Sequence, residues 1–185
     1  MTAARKLGTY ADLEALPPHV VGELIFGVVH VSPRPASLHA NAAAGAFGGI
    51  DGPFRRGKGG PGGWVILFEP ELHLEGDVLI PDLAGWRRER MPELPQTANF
   101  TLAPDWVCEV LSPSTEAVDR GDKSKVYARE GVKHLWFVDP IVKTLEILRL
   151  DGATYRVIDV FTGDLGVRAE PFDAIEFDLS ALWAR

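Results

Sequence analysis

Residues 106–132 read WVCEVLSPSTEAVDRGDKSKVYAREGV, and this stretch decides the fold. Its first residues are apolar on both alternating faces, as expected of a strand in the middle of a sheet. Trp106, Cys108 and Val110 share one face, while Val107, Glu109 and Leu111 share the other. Ser112, Ser114 and Thr115 with Pro113 read as a turn and cap, without the His and acid partners a serine nucleophile needs. A helix is expected over 119–129, stopped by Gly131 in a left-handed cap. A second apolar run follows, HLWFVDP at 134–140, with Asp139 before Pro140 forming a turn. Glu109 is the residue that does not fit, because a carboxylate on an apolar face costs several kcal/mol unless it is paired.

Working upstream, WVILFEPELHLEG (64–76) and DVLIPDLAGW (77–86) read as two strands of a hairpin about Gly76-Asp77. ELIFGVVHVSPRP (23–35) reads as a strand pair turning at Gly27, YADLEALP (10–17) as a short helix, and SLHANAAAGAF (37–47) as a helix capped by Ser37. The segment GGIDGPFRRGKGGPGG (48–63) is so rich in glycine that a mobile loop is expected there. Downstream, TLEILRL and TYRVIDVF flank Asp151-Gly152 as a hairpin, followed by a short strand and a closing helix, SALWA (180–184). This order of elements predicts an α/β domain with a mixed β-sheet flanked by helices and extra β-hairpins.

With 185 residues and 46% hydrophobic content, the chain can bury a core as a single domain spanning 1–185. No apolar run is long enough to cross a bilayer, and the basic start has no apolar stretch behind it, so a cytoplasmic protein with no membrane partner is expected. Cys108 is the one cysteine, which excludes an intramolecular disulfide and a cysteine-based zinc site, and it is expected to pack. The net charge of −7 argues against general coating of nucleic acid. Two clusters still allow a local basic groove: Arg55, Arg56 and Lys58, and Arg87, Arg88 and Arg90.

Glu109 is not alone in pointing inward. Asp82 shares its parity with Val78 and Ile80, and so extends an apolar stripe. Helical spacing puts Asp119, Lys123 and Tyr127 on one face, with Lys125 turned away from it. Acids and a lysine that all face a core need one another or a cation. A structural ion-pair network and a divalent metal site shared by two carboxylates both satisfy that need.

Asp82 within IPD, Glu109 within EVLSPST, the run DRGDKSKVYAREGV and the following WFVDP resemble the Uma-two family of putative restriction endonucleases, in the PD-(D/E)XK nuclease superfamily. ELIFG with SPRP and His39 resembles that family's N-terminal part, and DPIVKTLEI its C-terminal part. The superfamily pattern has a lysine two residues after the second acid, where this chain has Leu111. The family instead carries it on the next helix, in a D-x-x-x-K-x-x-x-Y arrangement that Asp119, Lys123 and Tyr127 match. The resemblance implies a restriction-endonuclease-like core and metal-dependent hydrolysis of DNA phosphodiester bonds. It further implies Asp82 and Glu109 as ligands of Mg²⁺, with Mn²⁺ as a substitute, Lys123 as the third catalytic residue, and a homodimer for cutting both strands. Glu23 and His39 match the N-terminal pattern and stay outside the catalytic set, with Glu69, Glu71 and Asp139 assigned to strand ends and turns. The alternative is a non-catalytic nuclease-fold module that binds nucleic acid or a protein partner.

Overall fold

The computed structural model describes residues 7–183; the basic start (1–6) and the last two residues of the closing segment lie outside it. In chain order the elements begin with α1 (Tyr10–Glu14), β1 (Val20–Ile25), β2 (Val28–Pro33) and α2 (Ser37–Ile50). Next come β3 (Trp64–Phe68), β4 (Glu71–Leu74), β5 (Asp77–Leu79), β6 (Leu83–Arg87), β7 (Asn99–Phe100) and β8 (Trp106–Val110). After α3 (Glu116–Val118) and α4 (Ser124–Arg129) follow β9 (His134–Asp139), β10 (Thr144–Asp151), β11 (Thr154–Thr162), β12 (Gly166–Val167) and β13 (Phe177–Asp178).

Two sheets carry the architecture, one ordered β11-β10-β9-β8-β6-β3 and the other β2-β1-β5-β4-β7. The expected central strand is β8: it runs parallel to β9, with Glu109 opposite Phe137, and antiparallel to β6, with Leu83 opposite Cys108. The mixed α/β arrangement therefore stands, with one revision. The hairpin expected over 64–86 is split in both arms, so that β3 and β6 pair in the larger sheet while β4 and β5 pair in the smaller. Pro70 and Pro81 stand at the two breaks, where they cannot donate to a ladder, and Glu69 has φ of 40°. The amide of Glu69 donates to the carbonyl of Asp82 at 3.0 Å and closes the crossing. Asp82 thus sits where the chain passes from one sheet to the other.

The two faces of the larger sheet bury separate cores. On one, Trp64, Trp106 and Trp136 pack around Phe172 beneath α2, with ring centroids of Trp64 and Trp106 each 4.9 Å from that of Phe172. Cys108 is buried in this layer, packing as expected. On the other face, Val65, Trp86, Val107 and Leu135 meet Val126 and Tyr127 from α4 and Leu72, Leu74 and Leu79 from the smaller sheet. Among the described residues, no helix is long and apolar enough to cross a membrane.

Three local expectations are corrected. The glycine-rich segment does not start as a loop: α2 continues through Gly48 and Gly49 to Ile50, and a π-helical turn, Asp51–Arg55, extends it. Two glycines of α2 are sites of close approach, since a Cβ at Gly45 would fall 2.0 Å from the carbonyl oxygen of Ala181 and one at Gly49 2.2 Å from the ring of Phe177. Ser37 is the first helical residue and makes no cap, the cap position being Ala36. The closing helix is a 3-10 turn, Leu179–Leu182, capped by the side chain of Asp178, which accepts from the amide of Ser180 at 2.9 Å.

The contrast between two glycines of α2 gives a stability prediction. Gly45→Ala drives a methyl group into backbone that cannot retreat, so a loss of about 1–3 kcal/mol is expected. Gly48→Ala meets nothing within 4 Å and is expected to gain roughly 0.5–1 kcal/mol through helix propensity. Thermal and urea unfolding of the two variants check the opposite signs.

Candidate active site

Five segments bring ionisable side chains to one place. Glu23 comes from β1, His39 from the first turn of α2, Asp82 from the crossing before β6, Glu109 from β8, and Asp119 and Lys123 from the helical segment that follows. That segment begins earlier than expected, at Glu116, and is interrupted by a π-helical turn over Asp119–Lys123. The hydroxyl of Ser124 donates to the loosened carbonyl of Asp119 at 2.8 Å. The widened turn leaves Asp119 and Lys123 on one face, with Oδ1 3.2 Å from Nζ. Lys125 points to solvent and pairs with Asp122, so Lys123 is the lysine that faces inward.

Lys123 is 3% exposed and surrounded by acids, with Nζ 2.8 Å from Glu109 Oε1 and 3.1 Å from Glu23 Oε1 in addition to Asp119. The phenol of Tyr127, one turn further on, donates to Glu109 Oε1 at 2.6 Å. Glu23 Oε1 also accepts from the amide of Ile80 at 2.8 Å, which ties β1 to the end of β5. Asp82 is less buried: its Oδ2 accepts from the amide of Val110 at 2.7 Å and lies 3.3 Å from His39 Nε2. His39 Nδ1 is buried without a partner.

The electrostatics follow from that crowding. Burial pushes the Glu109 carboxyl well up from the ordinary range, against the pull of Lys123 and with reinforcement from Asp119, Asp82 and Glu23. Burial alone would lower Lys123, but Glu109, Glu23, Tyr127 and Asp119 outweigh it and hold the ammonium charged. Tyr127 is raised by burial and by Glu109, so its phenol stays a donor. His39 is also raised, since its hydrogen bond to Asp82 and the charges of Asp82 and Asp119 overcome its burial.

These side chains line an open pocket of about 240 Å³ that also reaches Glu69, Arg34 and the turn 112–115. The three residues singled out in the sequence, Asp82, Glu109 and Lys123, all border it. Glu23, left outside the catalytic set by its sequence pattern, joins them at the pocket. It is a charge inside the apolar run VVGELI, the same signal that marked Glu109, and it contacts Lys123 rather than a neighbour in its hairpin. Glu69, read as a strand-end residue, also lines the pocket, whereas Glu71 pairs with His73 and Tyr10 outside it. Asp139 is a turn former as expected, its Oδ1 accepting from the amides of Ile141 and Val142.

Among the described residues no group of three or more His, Cys, Asp or Glu side chains is arranged to hold a metal ion. Mg²⁺ does not demand one, because it keeps several waters and is commonly bound by one or two carboxylates with substrate phosphate. The hydrogen bonds to Asp82 fall on Oδ2 and those to Glu109 on Oε1, so each carboxylate retains its second oxygen for another ligand. The pocket also holds more carboxylates than cations, and such an excess is relieved by a bound divalent ion.

The fold is a nuclease-like one. A crystal structure titled as a putative nuclease belonging to DUF820 from Anabaena variabilis matches with a TM-score of 0.76, over 95% of this chain and 97% of that one. At 20% identity the likeness is one of fold. The Uma2 family, described as putative restriction endonuclease, matches residues 8–181, and the chain belongs to that family. No curated protein matches.

The buried ion cluster makes a prediction of its own. Lys123→Met removes its ammonium and leaves Glu23, Glu109 and Asp119 facing one another, so a loss of about 3–5 kcal/mol is expected in urea unfolding at neutral pH. Adding Glu109→Gln is expected to restore part of it. A single variant as stable as the parent would show that the carboxylates are not held together through Lys123.

Proposed function

We propose that this protein is a metal-dependent endonuclease that hydrolyses DNA phosphodiester bonds. The observation that carries this reading is the meeting of Asp82, Glu109 and Lys123 at one open pocket with a surplus of carboxylates. Membership of a family described as putative restriction endonuclease agrees with it.

In this reading Asp82 and Glu109 would hold Mg²⁺ or Mn²⁺ through their carboxylate oxygens. When bound, the ion lowers the pKa of a coordinated water and neutralises charge on the phosphoryl oxygens. The rest falls to the chain. The Val110 amide fixes Asp82 from one side and His39 from another, so its carboxylate is positioned before any ligand arrives. Tyr127 orients Glu109 by donating to one oxygen. Lys123 acts as a fixed positive charge beside the developing negative charge of the transition state. Its three N–H donors face Glu23, Glu109 and Asp119, so removal of a proton from water by its amine would require one of those contacts to open and the ammonium to discharge. Arg34, at the rim, gives one N–H to the Pro18 carbonyl at 3.1 Å and has further donors for a phosphate. A cytoplasmic homodimer, one copy cutting each strand, completes the proposal.

The saturation of Lys123 favours a second reading, a nuclease-fold module in which the charged network only stabilises. Plasmid nicking in Mg²⁺ and Mn²⁺ separates the two. The endonuclease reading expects Asp82→Ala and Lys123→Met to lose activity by about 10²–10³. Equal trace activity in the parent and both variants would assign the nicking to a contaminant. Calorimetric titration with Mn²⁺ tests the ligands directly: heat that Glu109→Gln leaves undiminished would remove Glu109 from the metal site.

A further inference from the structure

The two basic segments that lie apart in the sequence meet at the end of the molecule away from the pocket. Trp64, the first residue of β3, is in register with Arg87, the last of β6, and the Arg87 guanidinium lies over its ring at 4.1 Å from the centroid. The amide of Arg88 donates to the Gly63 carbonyl at 2.9 Å, which clasps that arginine to the loop carrying Lys58. Arg55 and Arg56 end the helical turn after α2 and both pair with the buried Asp51, while Arg90 pairs with Asp105 at 2.9 Å. Six cations therefore stand against Asp51, Glu89, Glu93 and Asp105 on a chain whose net charge is −7. Lys58, Arg87 and Arg88 are exposed, as are Arg55 and Arg56 despite their ion pairs.

At the other end of α2 the charge is reversed, with Glu23, Glu69, Asp82, Glu109 and Asp119 around the pocket. Between the two ends, the 14 residues of α2 include no Asp, Glu, Lys or Arg. At 1.5 Å per residue that interval is about 21 Å. Along a duplex it corresponds to roughly six base pairs at about 3.4 Å each. Phosphate affinity rests on clustered cations, and the acidic pocket offers few.

We propose that this basic end is a second contact for the DNA backbone, gripping the duplex about six base pairs from the phosphate in the pocket. The proposal rests on the endonuclease reading for the identity of the polyanion. Its consequence is a length requirement: a duplex too short to span α2 loses the contact.

The test is fluorescence anisotropy of labelled DNA duplexes of graded length with the full chain in Ca²⁺, a divalent ion that takes oxygen ligands, comparing the parent with the double variant Lys58→Gln, Arg88→Gln. Both side chains are exposed, and matching thermal melts confirm that the variant is folded. The parent is expected to bind spanning duplexes several-fold more tightly than shorter ones. The double variant is expected to lose that gain and to lower the slope of log K against log salt by about two. Arg156→Gln, on β11 at the opposite edge of the larger sheet, is expected to change neither. Parent-like affinity and slope in the double variant, an equal loss in Arg156→Gln, or no binding by the parent would overturn the proposal. Nicking of plasmid in Mg²⁺, read in parallel, separates this surface from the active site. Nicking with unchanged binding removes the basic contact and leaves the hydrolase; a length effect without nicking does the reverse.

Discussion

Lys123 is an ammonium group taken out of water, and the structure is arranged around that cost. A buried charge without partners costs several kcal/mol, so its three donors must each find an acceptor. The acceptors come from three places: Glu23 on the smaller sheet, Glu109 on the larger sheet, and Asp119 on the lysine's own helical segment. One ion cluster thereby ties both sheets to the helix packed between them. Tyr127 extends it by seating its ring in the apolar layer while its hydroxyl meets Glu109. The π-helical turn at Asp119–Lys123 belongs to the same arrangement, because it places both charges on the inward face.

Asp82 is placed by a different constraint. The chain from Trp64 to Arg87 forms one long hairpin in sequence, yet it bends at Pro70 and Pro81 and divides its strands between two sheets. Only at such a crossing can a residue leave the strand pleat and turn toward the end of β8, where the Val110 amide receives it. The result is a pair of carboxylates in different environments: Glu109 buried against Lys123 and the Tyr127 hydroxyl, Asp82 nearer the solvent at the mouth of the pocket. Charge is also sorted along the molecule, with acids gathered at the start of α2 and basic side chains beyond its end.

Much of this could be read from residue order. Trp106–Leu111 declared a buried strand because both of its alternating faces are apolar, and that periodicity survives whatever packs on it. Glu109 and Lys123 were legible for the same reason: a charge on an apolar stripe has few solutions, and helical spacing excluded Lys125. Glu23 carried an equal signal within β1 but had a plausible partner in its own hairpin. Only the start of the glycine-rich segment, through Arg55, departs from the expected loop, because glycine propensity speaks only of the isolated chain. In the fold, Gly49 admits the Phe177 ring, and such a contact outweighs the helix penalty.

What local sequence determined, then, was the set of elements, the central strand and the presence of inward charges, since periodicity and the cost of burial act over a few residues. Which charges meet was decided by tertiary structure alone. The passage of one hairpin between two sheets, the approach of Glu23 to a lysine a hundred residues downstream, and the joining of two basic segments across Trp64 all depend on long-range strand register. Register is chosen by the packing of whole layers, and no short window of sequence contains it.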